Sequence, residues 1–328
     1  MSPEAARPTA AATLSLTGRY HRQGTEAAQA LRLWANQEGV RLNLVDDAGS
    51  SAAAAHAYTE WTGSVDLLIG PYASDLVRRI APLVRDGGRL LWNHGGSADD
   101  LAQPMTVCVA APASNYLCKA VDIAAAQHHD RMVIVQGPGP FARAVADGAA
   151  DHARQRGIRT QQVESGSIDS IQTAGAWLLA GHFEHDTDLV RRLRHRKPAP
   201  SFIAAVAAGI RAFGRELGAE AEGIYGPAQW WPDDKVPDVG PTGTEFVEAY
   251  RVRTGHEPSY VAAQAAAAGF LATAARRLEL SAEDVVQWET STLLGRFRLD
   301  PSWRQVGHHI TTVSWKDGQL VRATTAPS

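Results

Sequence analysis

The feature that most constrains this chain is an alternation. Short apolar runs, each ended by glycine or a polar turn, take turns with stretches of helical period. "ATLSL" (12–16) is strand-like and empties into a glycine-bearing loop, "TGRYHRQG". "TEAAQALRLWANQEG" (25–39) then places Ala28, Leu31, Trp34 and Ala35 on one helical face, with Gly39 as its stop. "RLNLVDD" alternates like a strand, and "SAAAAHAYTEWTG" is a helix capped by Ser50 or Ser51. "VDLLIG" is continuously apolar, as a central parallel strand must be. "SDLVRRIAPLVRDGG" is a helix with Ser74 at its N-cap position, and "RLLW" is the next strand.

This βαβαβαβ order is the pattern of a doubly wound parallel sheet. A second run of similar size follows "APAS". It contains "NYLCKAVDIAAAQHH", "RMVIVQG", "FARAVADGAADHARQRG", "TQQVES", "GAWLLAG", "HDTDLVRRLRHR", "SFIAAV", "AAGIRAFGRELG" and "AEGIYG". "GPAQWWPDDKVPDVGPTGTEF" (226–246), rich in proline and glycine, is a crossing segment. A long alanine-rich helix and a final hairpin turning at Asp317-Gly318 complete the chain. No close repeat joins the halves. At 328 residues and 45% apolar content, two medium domains with real cores fit.

Several functions are disfavoured. A net charge of −3 with interspersed signs gives no electrostatic case for nucleic acid. No window approaches the roughly 20 apolar residues of a membrane span. The opening residues have no basic region followed by an apolar core, so the chain as given reads as cytoplasmic, or as extracytoplasmic with its signal removed. Cys108 and Cys118 are the only cysteines and read as buried free thiols. No nucleotide fingerprint and no nucleophile elbow occurs, and "GPGPFA" loses two donors to its prolines. His128-His129, His182/His185 and His308-His309 do not offer the three or four convergent ligands of a zinc site. No cofactor or metal is expected.

In open parallel sheets, ligands bind beyond the carboxyl ends of the strands. Four loops fit: "LTGRYHRQG" (16–24), "GPYASD" (70–75), "NHGGSADD" (93–100) and "QGPGPFAR" (136–143). "GPYASD" opens a helix, whose free N–H groups and Ser74 hydroxyl favour a carboxylate; the alternative is that Ser74 only caps its helix. "NHGGSADD" repeats the design one strand later. Gly95 and Gly96 let backbone approach a ligand, Ser97 donates or accepts, and Asn93 and His94 add polar contacts. The alternative there is a capped turn. Trp230 either walls a cleft or packs in a core.

Taken together, these residues resemble a type I periplasmic binding protein, of the solute-binding subunits of branched-chain amino acid and amide ABC importers. The resemblance rests on the order and spacing of "LSLTGRYHRQGTEAAQALRLWANQEG" followed by "VDD", "LLIGPYASDLVRRIAPLV", "LLWNHGGSADDL", "RMVIVQGPGPFARAVADGAADHARQRGI", "AGHFEHDTDLVRRLR", "EFVEAYRVRTGHEPSYVAAQAAAAGFLATA" and "TLLGRFRLD". It implies two Rossmann-like α/β lobes joined by three crossover segments with a ligand cleft between them. Lobe 1 is expected at 1–114 plus 240–300, and lobe 2 at 115–239 plus 301–328.

By position, the resemblance makes Ser74 the serine that binds a ligand carboxylate, with Gly95, Gly96 and Ser97 completing that anion site. Phe141 falls on an aromatic position of the second lobe and Phe183 near another. His185 stands where amino-acid binders carry an acid for the ligand ammonium, a departure that Glu184 or Asp186 could make good. With Tyr20, Tyr72, Trp92 and Trp230 nearby, an aromatic or larger carboxylate or amide is favoured over leucine. Ser74→Ala and Ser97→Ala are each expected to weaken binding with little loss of stability. The implied partners are a small-molecule ligand and an importer permease. The alternatives are a cytosolic amide sensor that restrains a regulator, and a cleft turned to catalysis with His94, His185 or Glu184 as acid or base.

Overall fold

The computed structural model describes residues 7–172 and 175–323. The first six residues, where an export signal was sought, lie outside that range. The chain divides into two compact units: residues 1–111 with 230–309, and residues 112–229 with 310–328. It therefore passes between them three times. Segment 230–239 belongs to the first unit because Trp230 Nε1 donates to Leu293 O, and the amides of Asp238 and Val239 bond Ser291. Segment 301–309 belongs there too: Gln305 donates to Val109 O and accepts from Gly307 N.

The first unit holds β1 (Thr9–Leu14), α1 (His21–Glu38), β2 (Arg41–Asp46), α2 (Ser51–Trp61), β3 (Leu67–Ile69), α3 (Ser74–Asp86), β4 (Leu91–Asn93) and β5 (Thr106–Cys108). Its five strands are all parallel, in the order β2-β1-β3-β4-β5. The apolar run "LLI" is the central strand, buried on both faces, and the alternating "RLNLVD" is the exposed edge. Helix α1 begins four residues before its expected start, at His21, because the Gly24 amide bonds Tyr20 O and no capping side chain fixes a later start.

The second unit holds α4 (Cys118–Ala126), β6 (Arg131–Gln136), α5 (Pro140–Gln155), β7 (Arg159–Glu164), β8 (Ala176–Ala180), α6 (Phe183–Arg194), β9 (Phe202–Ala205), α7 (Arg211–Leu217) and β10 (Tyr225–Ala228). The chain then returns to the first unit for α8 (Gly243–Thr254), α9 (Tyr260–Arg277), α10 (Ala282–Gln287) and the hairpin β11 (Glu289–Thr292) and β12 (Gly295–Arg298). It ends in the second unit with β13 (Thr311–Lys316) and β14 (Gln319–Arg322). The second sheet runs β14-β13-β10-β9-β8-β6-β7; β6 to β10 are parallel and the last two strands form an antiparallel edge. Asp317 and Gly318, both at positive φ, make the hairpin turn read from the sequence.

Why α9 is so rich in alanine follows from its position. It is buried on almost every face, so it has to be apolar and small all round. Gly269 is its closest approach: a Cβ there would lie 2.4 Å from the Trp34 ring of α1. The Trp34 indole donates to Thr273 Oγ1 at 3.4 Å. Leu14, Leu31, Ile69 and Phe270 share this core.

Candidate functional site

The parallel strands of both units follow one rule of order. In the first, the chain winds outward from β1 to β2 on one side and from β3 to β5 on the other. In the second, β6 goes to β7 on one side, and β8 to β10 on the other. Such a reversal is where open α/β sheets bind ligands, at the carboxyl ends of the strands that flank it. The flanking loops are 15–20 and 70–73 in the first unit, and 137–139 and 181–182 in the second.

Loop 15–20 is shaped by the two acids of "VDD". Asp46 accepts from Leu16 N (2.9 Å), Thr17 N (3.2 Å), Thr17 Oγ1 (2.7 Å) and Ala48 N (2.8 Å). Its burial favours the neutral acid, but these hydrogen bonds outweigh that and hold its pKa below the ordinary value. Asp47, fully buried, accepts from Ser15 Oγ at 2.6 Å and Gly49 N at 2.9 Å. The loop delivers Tyr20 edge-on to Tyr72, centroids 6.1 Å apart. Tyr20 also hydrogen-bonds Asp75; burial first, then that charge, raises its pKa. The Tyr72 hydroxyl pairs with that of Tyr260 at 3.0 Å.

The loops after β3 and β4 are laced together. Tyr72 and Gly95 form a parallel bridge, and Ala73 N donates to Gly95 O at 3.3 Å. Ala73 has φ of +83°, a strained setting for a residue with a Cβ, of a kind that gathers at ligand sites. Ala73, and not Ser74, is the N-cap of α3. Ser74 is the first helical residue, and its Oγ accepts from Ser97 N (3.2 Å) and Ala98 N (3.1 Å) instead of capping its own helix. A hydroxyl that accepts twice still has its hydrogen to donate. The first amide of α3 to meet a helical acceptor is that of Val77, so the three before it face outward from the helix end. The Ser97 hydroxyl makes no hydrogen bond among the described residues.

The glycines and their neighbours do something other than bare the backbone. Asn93 is fully buried: its Oδ1 accepts from Gly95 N (3.2 Å) and Gly96 N (2.8 Å), and its Nδ2 donates to Gly96 O. Those two glycine amides are therefore spoken for. A Cβ on Gly95 would fall 2.4 Å from Tyr72 Cα, so Gly95 is what lets the two loops touch. Trp92 is buried in the core of the unit. His94 is also fully buried, and neither ring nitrogen meets a hydrogen-bonding partner among the described residues. Burial pushes its pKa down to about 4. Trp230 packs edge-on against Phe246 with its N–H on Leu293 O, in the core arrangement weighed above.

In the second unit, Phe141 lies edge-on to Tyr116 and stacked on His182, with centroids at 5.4 Å and 5.7 Å. Phe183 packs partly into the core on the α6 side of the sheet. Glu184 is exposed. His185 lies over the two bare strand ends, Gly137 and Gly181; a Cβ on Gly181 would come 2.3 Å from its Nδ1. Behind it is Asp186, 0% exposed, with Oδ1 3.4 Å from His185 Nδ1 and Oδ2 accepting from Ala207 N at 3.0 Å. Burial raises the Asp186 pKa to about 6 against the pull of these contacts.

Ser74 and Ser97 are thus brought together, with Tyr20, Tyr72, Asn93, His94, Gly95 and Gly96 around or beneath them. Sequence reasoning missed Asp75 and Tyr260, which hold Tyr20 and Tyr72, and the clamping role of Asp46 and Asp47. The first two carry no local signal, since their partners are brought to them by the fold. Among the described residues, no three His, Cys, Asp or Glu side chains converge as metal ligands would, and no helix is long and apolar enough to cross a membrane.

Two α/β lobes, each with a parallel sheet that reverses its order and a set of polar loops at the reversal, define a class of small-molecule-binding proteins. The chain belongs to the periplasmic binding protein family, whose model matches residues 9–319; the fold is that of its type I members. Solved structures with the same fold include the leucine-binding protein LivK of Thermotoga maritima, 17% identical, with a TM-score of 0.79 over 97% of this chain and 98% of that one. The isoleucine complex of LivJ from Streptococcus pneumoniae is 16% identical, TM-score 0.76, covering 96% and 97%. A solute-binding protein of an R. palustris ABC transporter, in complex with benzoate, is 16% identical, TM-score 0.73, covering 98% and 97%. No curated protein sequence matches the chain. The family and these neighbours are binding proteins.

Proposed function

We propose that this chain captures a small carboxylate- or amide-bearing solute, aromatic or larger than leucine, for an ABC-type importer. It does so outside the cytoplasmic membrane and hands the solute to a permease. The carrying observation is the double acceptance by Ser74 Oγ, which fixes its remaining hydrogen beside the outward amides of α3 and the unpartnered Ser97 hydroxyl. That is a donor-rich, preorganised place for a carboxylate or carbonyl oxygen. Tyr20 and Tyr72 supply flat apolar area next to it. The leucine-binding protein and the isoleucine and benzoate complexes support a small carboxylate solute, and benzoate an aromatic one.

Calorimetric titration with L-leucine, L-isoleucine, L-phenylalanine, benzoate and benzamide tests the reading. At least one is expected to bind, and Ser74→Ala to weaken that binding by about tenfold or more, the worth of a hydrogen bond to a charged group. Unchanged affinity in folded Ser74→Ala removes the anion site from the account.

A further inference from the structure

In β8 the strand alternation turns Ala176 and Leu178 to one face of the second sheet. Trp177 and Leu179 turn to the other, where they share a core with Leu189, Val190 and Leu193 of α6. Trp177 is 0% exposed, and its Nε1 finds no acceptor among the described residues. Just past the end of α6, Arg196 reaches over the same indole, with Cζ 5.1 Å from the ring centroid. Its side chain is 11% exposed. Two arms of the guanidinium are taken: Nη1 donates to Ile168 O at 2.7 Å, and Nη2 to Ile171 O. The third, Nε, is shielded from solvent and has no acceptor among the described residues. The carboxylate paired with this charge is Asp169, 3.9 Å from Nη1 and itself 77% exposed, so it offsets little of it. Two unmet donors and a positive charge thus lie side by side at an apolar core.

What they lack is an acceptor, because neither N–H can accept. A water takes both hydrogen bonds only by bringing hydrogens of its own into apolar surroundings, and so exchanges unmet donors for others. An anion accepts and donates nothing, and it also balances the guanidinium. We propose that Trp177 Nε1 and Arg196 Nε together hold a small inorganic monovalent anion, of the size and charge of chloride. Trp177 is the second residue of β8, at the amino end of the strand, whereas the loops proposed for the solute follow the carboxyl ends. The anion is therefore distinct from the solute. It fastens segment 168–171 and the end of α6 to the sheet, and it stabilises the second unit.

The test replaces sodium gluconate by sodium chloride around the intact protein at constant ionic strength, which holds screening fixed. In the assigned nitrogen-15 spectrum, the indole N–H of Trp177 is expected to shift saturably with chloride, and likewise with bromide. Exchange of the β8 amides is expected to slow by about tenfold at about ten times the half-saturating concentration, as mass action requires of a ligand held by the folded state alone. Trp177→Phe keeps a ring under the guanidinium and loses the donor, so that slowing should disappear. The variant also loses an unmet N–H, so in gluconate it should be no less stable than wild type, a result that a merely structural ring would not give. Arg196→Lys keeps a cation and loses the Nε donor, so half-saturation should move up by about tenfold. It is read through the indole resonance and serves if the Phe variant does not fold. An indole N–H indifferent to chloride and bromide, or a shift that does not saturate, overturns the site. So does chloride protection that survives in folded Trp177→Phe, or an unchanged half-saturation in folded Arg196→Lys.

Discussion

Ser74 Oγ accepts the amides of Ser97 and Ala98 at 3.2 and 3.1 Å, so one hydroxyl ties the loop after β3 to the loop after β4. The serine is a structural pin, and on the reading proposed above it is a solute donor as well. That changes what its removal should do. Ser74→Ala leaves two half-shielded amides without their acceptor, which costs about 1–2 kcal/mol of stability. The small stability loss expected from the sequence gives way to a measurable one, while Ser97→Ala, which keeps the backbone amide and loses only a free hydroxyl, remains close to wild type. Urea unfolding of both variants beside the titrations separates the roles. Equal midpoints for Ser74→Ala and the wild type would show that the pin carries no weight.

The two glycines of "NHGGS" should respond unequally to alanine. A Cβ on Gly95 meets backbone, Tyr72 Cα at 2.4 Å and Pro71 O at 2.8 Å, and neither atom has room to swing away. A Cβ on Gly96 meets the end of a flexible side chain, Leu101 Cδ1 at 2.5 Å. Overpacking of this kind costs about 1–3 kcal/mol, toward the upper end where backbone has to move. Scanning calorimetry should rank Gly95→Ala well below Gly96→Ala in Tm; the opposite order would mean the loops are not pinned at this bridge.

How much of this was legible beforehand divides along a physical line. The alternation of period marked β3 and α3 because burial on both faces demands a continuous apolar run, and burial on one face demands a helical stripe. The Ser74 and Ser97 loops were legible because they follow strand ends in order. Partners far apart in sequence were not. Asp75 holds Tyr20, Tyr260 holds Tyr72, and Ala207 N reaches Asp186, all through contacts that only the folded sheet creates. The glycines misled for a related reason. A missing Cβ leaves room for a ligand or for a neighbouring loop, and the sequence does not say which; at Gly95 it is the loop.

Asp46 should act on loop 15–20 as a whole. Its carboxylate gathers donors from Leu16, Thr17 and Ala48, and through them sets where Tyr20 begins. Asp46→Ala should speed amide exchange at Leu16, Thr17 and Ala48 by about tenfold, as expected when a hydrogen bond worth about 1 kcal/mol or more is lost in a local opening. Because the folded pKa of Asp46 lies below its unfolded value, the clamp is present above the unfolded pKa and loosens as pH falls through the folded one. Exchange rates at these three amides that match wild type would remove the clamp.

Two buried groups of opposite sense should leave opposing marks on stability. His94 has its pKa depressed by burial from 6.5 to about 4, so between those values the unfolded chain binds more protons and stability climbs with pH. Asp186 has its pKa raised by burial from 3.8 to about 6, so over that window the folded chain binds more protons and stability falls as pH rises. Each shift corresponds to about 3 kcal/mol at full extent. The wild-type profile from pH 4 to 6.5 should therefore be nearly flat for a reason that single variants expose. His94→Leu removes the climb and also a ring whose nitrogens are unpaired, so the variant should be as stable as wild type at pH 7, more stable near pH 4, and should lose stability as pH rises from 4 to 6. Asp186→Asn removes the fall, so its stability should climb steadily from pH 4 to 6.5. Urea unfolding at half-unit steps of pH reads both slopes, with the two units followed separately by hydrogen exchange, since His94 and Asp186 lie in different ones. Parallel profiles for wild type and both variants would mean that neither group is buried in the state that unfolds.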